Sequence, residues 1–451
     1  MEKIHFRKYI FLSLILFAVI WMVCKVPLWE NLTIYPQLWE NKLHLTTLNP
    51  TSSTDQGYEL TKSSIELNIM PIKDTKHFLV SAYKDHRING TIRIISIFRR
   101  DEVRRLYCII GCAQHGYFIT AAEVDIHRDH FGFPYQTTDL LCKSDPKCDA
   151  TNVTISNSPY TSDIPDMIFL PIRNRERKEH NFKHNFTVCI STLFGSYNNV
   201  LQFVQTIEVY KLLGIQKVVI YNTSIGPDLG KVLQYYREEG TLEIHQWPID
   251  QFLNPSKGWN FEEHKGDLHY YGQLATLNDC IYRNMYRSKY LLLNDIDEII
   301  MPYQHATLEL LLEDLQRQNP TVGVFLIESY VFPKTVFDDE GRFNLTQWRK
   351  VPGINILEHI YQEPAKKDIF NPSKMIMNPR QVVQTSVHSV LKNYGDTLRV
   401  PADVCRMIHV AVPLQGNLTK EQLIVDKKLW EYQKNLLPKV DSVLNKSGIY
   451  D

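Results

Sequence analysis

The chain has no excess of charge of either sign: its 451 residues carry 50 Lys plus Arg against 50 Asp plus Glu. A dedicated nucleic-acid binder usually shows a strong basic excess, so that class is set aside. Glycine (19) and proline (22) are too sparse for a collagen-like chain, and 44% hydrophobic against 22% charged residues excludes a disordered one. No internal repeat is evident, and no long apolar run follows residue 30. Cysteine is scarce, with eight in the chain. Cys108/Cys112 and Cys142/Cys148 have short spacings, but no further ligands follow in zinc-ribbon register, so disulfides are expected there instead of a metal. The length suggests roughly two or three domains.

What is present begins at the N-terminus. Tyr9 to Cys24 reads YIFLSLILFAVIWMVC, without charge, after Lys3, Arg7 and Lys8 and before Lys25. As a helix it spans roughly 24 Å against a hydrocarbon core of about 30 Å. Lys25 can snorkel, so a transmembrane signal-anchor is predicted over 9–25, behind a cytosolic tail at 1–8. A cleaved signal peptide is the competing reading, but no small-x-small site follows closely. Positive charge ahead of the span places the rest in the lumen, giving a single-pass type II protein of the secretory pathway. Eight Asn-x-Ser/Thr sequons agree, at Asn31, Asn89, Asn152, Asn185, Asn222, Asn344, Asn417 and Asn445. With Cys24 in the span, seven cysteines face an oxidising lumen, an odd number whose pairing stays open.

Residues 26–70 are polar and aperiodic and are expected to form a stem. Residues 71–180 carry short apolar runs between turn residues, such as GTIRIISIF and GYFITAAEVDIH, and predict a β-rich module. From 181 the character changes. Strand candidates at 186–194, 217–221, 242–247, 290–293 and 322–328 alternate with helical stretches at 200–213, 229–239, 269–286 and 307–318. This predicts an α/β fold over 181–451, with a Rossmann-like, mostly parallel sheet and helices on both faces. Ligands of such sheets sit beyond the carboxyl ends of the strands.

The informative line is LLLNDIDEII (291–300). An apolar strand runs into Asp295 and Asp297, and alternate residues at a strand end point the same way. Two carboxylates with no Cys nearby suit a hard divalent cation such as Mg²⁺ or Mn²⁺, which typically bridges protein and a diphosphate. Two classes place such a pair at a strand end: nucleotide-sugar glycosyltransferases and aspartyl phosphatases of the haloacid dehalogenase type. The phosphatase pattern needs Thr or Val where Ile299 stands, and it wants the first strand of the sheet.

Several segments together resemble glycosyltransferase family 92, animal Golgi-type galactosyltransferases. They are SAYKDHR (81–87), VCISTLFGSYNNVLQFVQTIEVYKLLGIQKVVIYN (188–222), YYGQLATLNDCIYRNMYRSKYLLLNDIDEIIMP (270–302) and VHSV (387–390). The resemblance covers roughly 75–430. It implies a GT-A fold, a UDP-sugar donor, Mn²⁺ or another divalent cation, and inversion at the anomeric carbon. Known members move galactose from UDP-galactose in β-1,4 linkage onto galactose or fucose of N-glycans.

The same resemblance organises the remaining candidates. Asp295 and Asp297 would bind metal and diphosphate, with Glu298 in support. GT-A enzymes commonly add a late His, for which His388 and then His409 are the candidates. Family members often read His-Tyr-Arg near the second, where this chain has His-Val-Ala. The general base that an inverting transfer needs would come from Glu328, Asp338 or Asp339. Ser191, Thr192, Leu193, Tyr221 and Asn222 end the first strands and would meet uracil or ribose; Lys374 and Arg380 would meet phosphate. Trp247, Trp259 and Trp348 could stack on sugars, with core packing as the ordinary alternative. The expected partners are the donor, an N-glycan acceptor, the membrane through 9–25 and a second copy in a homodimer. Two alternatives stand beside this reading: the same fold with another donor or acceptor, and a non-catalytic sugar-binding protein of the secretory pathway.

Overall fold

The computed structural model describes residues 69–450, apart from 103, 114–115, 161–163, 165–166, 178–179 and 366–371. The expected tail, the expected span at 9–25 and all but the end of the expected stem lie outside the described residues. Among the described residues no helix is long and apolar enough to cross a membrane. The longest, Gln433–Lys446, has 14 residues and rises only about 21 Å. Nothing among the described residues supports the expected type II placement in the Golgi membrane, and it is not carried further.

The first part of the chain builds a barrel. Its strands are β1 (Met70–Pro71), β2 (Phe78–Asp85), β3 (Thr91–Arg99), β4 (Tyr107–Cys112), β5 (Tyr117–Ile126), β6 (Tyr135–Lys143), β7 (Ala150–Ser156) and β8 (Leu170–Arg173). They run in the order β1-β2-β3-β6-β5-β4-β7-β8, and β2 also pairs with β8, so seven strands close with β1 on the edge. Closure removes the unpaired edges that a small open sheet would expose. The period of two is legible in β3. Ile92, Ile94 and Phe98 face the barrel interior, while Ile95 and Ile97 face outward into a second core shared with the rest of the chain. β5 is less buried, with Tyr117, Ala121, Glu123 and Ile126 exposed.

Two disulfides staple the barrel, Cys108–Cys142 and Cys112–Cys148. They cross between the two short-spaced pairs. Each closes a loop of about 35 residues, stabilising by about 4 kcal/mol on the chain-entropy account. A third, Cys189–Cys280, joins strand to helix in the second sheet, and Cys405 is the buried thiol left over among the described residues.

The second sheet uses β9 (His184–Leu193), β10 (Lys217–Asn222), β11 (Leu242–Gln246), β12 (Ser288–Leu293), β13 (Glu298–Pro302) and β14 (Val322–Pro333). It continues after the two-residue β15 (Tyr361–Gln362) with β16 (Ser373–Met377). Then follow β17 (Val382–Thr385), β18 (Val390–Asn393), β19 (Asp396–Arg399), β20 (Cys405–Ala411) and β21 (Ile424–Val425). β17 pairs with β18 and β15 with β21 as separate ribbons. The helices are α1 (Val200–Leu212), α2 (Pro227–Glu239), α3 (Gln273–Asn284), α4 (Leu308–Gln318) and α5 (Gln433–Lys446). The main order is β11-β10-β9-β12-β16-β14-β20-β13, with β19 beside β14.

This corrects the expected Rossmann-like sheet, and with it the GT-A assignment. β11, β10, β9 and β12 form a parallel block of four, and β14 is parallel to β19 and β20. Beyond it β16 is antiparallel to both β12 and β14, and β13 is antiparallel to β20. The α/β alternation runs through α4 to β14 and then gives way to short apolar strands such as SKMIM and CRMIHVA, which enter the sheet without a helix between them.

α1, α2 and α5 bury their apolar faces in one core with the sheet, and α3 lies in the other core with the outward face of the barrel. At that seam sits Asp279 of α3, fully buried. It accepts from the hydroxyls of Ser81 and Tyr83 of β2 and of Tyr221 of β10, and from Arg283 Nε at 3.0 Å. Burial pushes its carboxyl up, but Arg283 and the three hydroxyls outweigh that and hold it well below the usual carboxylate range. A depressed carboxyl contributes stability above its unfolded value, and this is lost only as the pH falls toward the folded one. Asp279→Ala should therefore cost about 3–5 kcal/mol at pH 7, because Arg283 is left buried without its partner. Urea denaturation followed by circular dichroism checks this; a loss below about 1 kcal/mol would show the seam does not depend on the carboxylate.

Candidate active site

The apolar run of β12 ends at Leu293, and the turn that follows is held from inside. Asn294 Nδ2 donates to the Glu298 carbonyl at 2.9 Å, and the Asp295 N–H donates to Glu298 Oε2 at 2.8 Å. Tyr210 of α1 donates to the same Glu298 carbonyl at 2.6 Å. These bonds turn Asp295 and Asp297 outward and keep Glu298 buried beneath them.

Asp295 meets a cation. Lys374 Nζ, on β16, donates to Asp295 Oδ2 at 2.8 Å and lies 3.3 Å from Glu298 Oε2, with its side chain 2% exposed. The other Asp295 oxygen accepts from Gln273 Nε2 at 3.1 Å and Ser191 Oγ at 3.4 Å. Burial pushes the Asp295 carboxyl up, but Lys374 outweighs it and holds it below its ordinary value. Glu298 is pushed up, by burial and by the Asp295 charge beside it.

Asp297 has a different neighbour. His409 Nε2 of β20 lies 3.4 Å from Asp297 Oδ2, and its Nδ1 lies 4.0 Å from Glu298 Oε1. Burial alone would lower the imidazole; the Asp297 bond and the Glu298 charge raise it to about 9. The Tyr197 hydroxyl, buried beside Asn199, feels the Asp297 charge. The expected sharing of one ion by Asp295 and Asp297 is thus redistributed. Asp295 is engaged by Lys374, Gln273 and Ser191, whereas Asp297 offers an oxygen and His409, once an ion displaces its proton, a nitrogen within reach of the same ion. Among the described residues no three His, Cys, Asp or Glu side chains form a complete metal cage. A two-residue set still fits a hard divalent ion, which commonly takes one or two protein ligands and completes its shell with phosphate oxygens and water.

The other expected residues separate. His388 is mostly buried, with Nδ1 3.0 Å from the Ser373 carbonyl; burial and then Lys374 push its pKa down. It lies close enough to feel Asp295. Ser191 and Thr192 reach the site, Thr192 Oγ1 lying 3.5 Å from the Tyr270 carbonyl. Leu193 is buried, and its carbonyl accepts from the N–H groups of Thr223 and Ser224. Tyr221 turns into the core toward Asp279, and the Asn222 amide oxygen is buried without a partner. Arg380 donates to the carbonyls of Met285, Ser288 and Lys289, at the opposite end of β12, about 20 Å of strand away from Asp295. Glu328 faces Ser373 across the β14–β16 pair while Lys374 faces Ile327, so Glu328 and Lys374 lie on opposite faces. Asp338 and Asp339 lie in a surface turn; Asp338 Oδ2 accepts from the Arg342 N–H, and Asp339 pairs with Lys420 and Tyr361. Trp247 and Trp348 are core residues, and Trp259 is exposed.

Sequence reasoning missed three residues beside Asp295, which are Gln273, Tyr270 and His269, and one beside Asp297, which is Tyr197. His269 is driven down to about 3 by burial. Tyr270 and Tyr271 hold left-handed φ values of 36° and 52°, ahead of Gly272 at 79°. Each non-glycine case costs about 1–3 kcal/mol, and such strain gathers at functional sites. Phe194 stacks on Tyr271 with ring centroids 4.2 Å apart and helps hold the bend. Only the glycine of YYGQ advertised a bend in the sequence.

Comparison with known proteins sets this geometry in a lineage. The model of glycosyltransferase family 92 matches residues 184–440. The Caenorhabditis elegans protein named beta-1,4-galactosyltransferase galt-1 is 27% identical over 267 residues, which is 55% of this chain and 57% of that protein. The glycosyltransferase family 92 protein F13G3.3 of the same organism is 24% identical over 208 residues, 46% of this chain and 38% of its own length. The chain thus spans about half or less of the length of these relatives. Among solved structures, S. aureus TarS 1-349 in complex with UDP-GlcNAc has a TM-score of 0.28 at 11% identity, covering 58% of this chain and 71% of that one. So slight a likeness carries no argument. The family match, which spans more than half of the chain and includes Asp295, Asp297, Lys374 and His409, is enough: the chain belongs to glycosyltransferase family 92.

Proposed function

We propose that this glycosyltransferase moves galactose from UDP-galactose, with inversion, in β-1,4 linkage to a terminal galactose or fucose of N-glycans. The observation that carries the reading is the convergence of Asp295–Lys374 and Asp297–His409 at the carboxyl end of β12. The name of the galt-1 relative supports galactose and the β-1,4 linkage.

The division of labour follows from the contacts. Lys374 offsets the charge of Asp295 and Glu298, which lets two carboxylates sit side by side. Asp297 and His409 would hold Mn²⁺ or a similar ion. When bound, the ion would neutralise charge on the UDP leaving group. Ser191, Thr192 and the strained Tyr270 turn border the same carboxylate and would orient the donor.

A screen of UDP-sugar hydrolysis by the full chain, with Mn²⁺ and with chelator, tests the reading. UDP-galactose should be cleaved fastest, and only with the metal. Asp297→Asn and His409→Ala should each lower kcat/KM at least about 100-fold while the thermal midpoint moves by only a few degrees. Full rates in both variants would remove these residues from the metal site, and no hydrolysis of any UDP-sugar by the unaltered chain would sink the donor assignment.

Lys374→Met separates support from ligation. Turnover should fall at least about 100-fold, yet Mn²⁺ affinity read by electron paramagnetic resonance should rise about tenfold, because Asp295 and Glu298 lose the ammonium that engages them. Weaker Mn²⁺ binding in this variant would mean that Lys374 organises the ligands and does not compete with the ion.

A further inference from the structure

The barrel lies outside the stretch matched by the family, residues 184–440, yet it touches the site. The contact is the tip of the hairpin between β5 and β6, residues 127–134. The hairpin is seated firmly: the Tyr135 N–H donates to the Asp267 carbonyl at 2.9 Å, and buried Phe133 packs edge-on against Phe261 with centroids 5.3 Å apart. Ahead of these anchors Asp129, His130 and Phe131 remain only half-buried.

Two separate links tie the tip to Asp295. Phe131 lays its ring on His269, centroids 4.2 Å apart and planes 15° from parallel, and His269 lies within electrostatic reach of Asp295. Asp129 accepts from Ser386 Oγ beside His388, which feels both Asp129 and Asp295. Asp129, His130 and His269 also line a small cleft between the hairpin and the start of α3. Phe131 holds a left-handed φ of 50° and Gly132 beside it one of 83°, so half of the bend falls on a residue that adopts it only at a cost. Strain of that kind, kept on a half-exposed aromatic ring at a loop tip carried by a rigid barrel, points to recognition.

The chemistry on offer suits a neutral polyol. A carboxylate and an imidazole exchange hydrogen bonds with hydroxyls, and an aromatic ring packs on the C–H face of a sugar. The tip reaches Asp295 by way of His269 and His388, not by the ends of β9 and β12 that border the proposed donor site. We propose that Asp129, His130 and Phe131 form the acceptor subsite, and that the barrel is the part of the molecule that binds the glycan to be extended. This rests on the glycosyltransferase reading and adds to it which part of the chain meets the acceptor.

The test uses the full chain and two separate titrations, one with a pool of released N-glycans bearing terminal galactose or fucose and one with UDP. Phe131→Gly removes the ring while suiting the left-handed backbone. Asp129→Ala removes the carboxylate, and Asp129→Asn keeps an acceptor for Ser386 and so keeps the hairpin's seat. Phe131→Gly and Asp129→Ala should each weaken glycan binding about tenfold, with Asp129→Asn falling between, while the UDP dissociation constant shifts less than about twofold. Glycan affinity equal to that of the unaltered chain in all three variants would overturn the proposal. So would a parallel loss of glycan and UDP binding, since the tip would then only support the pocket. Failure of the unaltered chain to bind UDP would instead count against the donor assignment, and the two failures are read in different titrations.

Discussion

A carboxylate without water must be satisfied by its neighbours, and Asp279 draws those neighbours from three places in the chain. Ser81 and Tyr83 come from the barrel, Tyr221 from the parallel block, and Arg283 from one turn further along the same helix. Burying an ion is favourable only when nearly every lone pair is met, so these groups can be close-packed only in one arrangement. The barrel is thereby fixed on α3 in a single orientation, with Ile95 and Ile97 packed behind it. Everything that the barrel brings to the site, including the seat of the β5–β6 hairpin, relies on that seam. Cys189–Cys280 ties the same helix to β9 from the other side.

The mixed sheet has a direct consequence for the chemistry. Because β16 runs antiparallel to β12 with Met375 opposite Leu293, Lys374 arrives level with the turn that carries Asp295. Because β13 runs antiparallel to β20 with Glu298 opposite His409, the imidazole arrives beside Asp297. A further run of parallel strands would have brought neither residue to those carboxylates. The departure from the expected topology is thus the arrangement that assembles the charged centre. It also explains why Lys374 can be almost fully buried: two carboxylates share one ammonium, and the desolvation of each is offset by the others.

Legibility in the sequence followed locality. The strand–DxD line, the βα alternation as far as β14 and the period of two in β3 all depend on residues a few positions apart, so they could be read directly. The disulfides depend on which strands become neighbours: Cys108 pairs with Cys142 because β4 and β6 lie in one barrel, and spacing alone does not say so. Arg380 looked like a phosphate ligand because it is basic and close in sequence to Lys374. One residue sits by Asp295 and the other binds carbonyls at the far end of β12, because a strand carries six residues across the molecule. Asp338 and Asp339 looked like bases because they are acidic, yet a surface turn and Lys420 account for them.

By itself the sequence determined the donor set at the end of β12. An apolar run that must be buried cannot hold Asp295 and Asp297 within it, so they emerge at its end in any fold that buries the run. It also determined, through the quoted blocks, the family to which the chain belongs. Tertiary structure alone decided which carboxylate meets an ammonium and which meets an imidazole. Those partners are 79 and 112 residues away, and their approach is set by strand direction and register, which no local pattern records. It alone decided, too, that a hairpin from a separate barrel would lie against the same pocket, because that contact follows from how Asp279 and its neighbours close the seam.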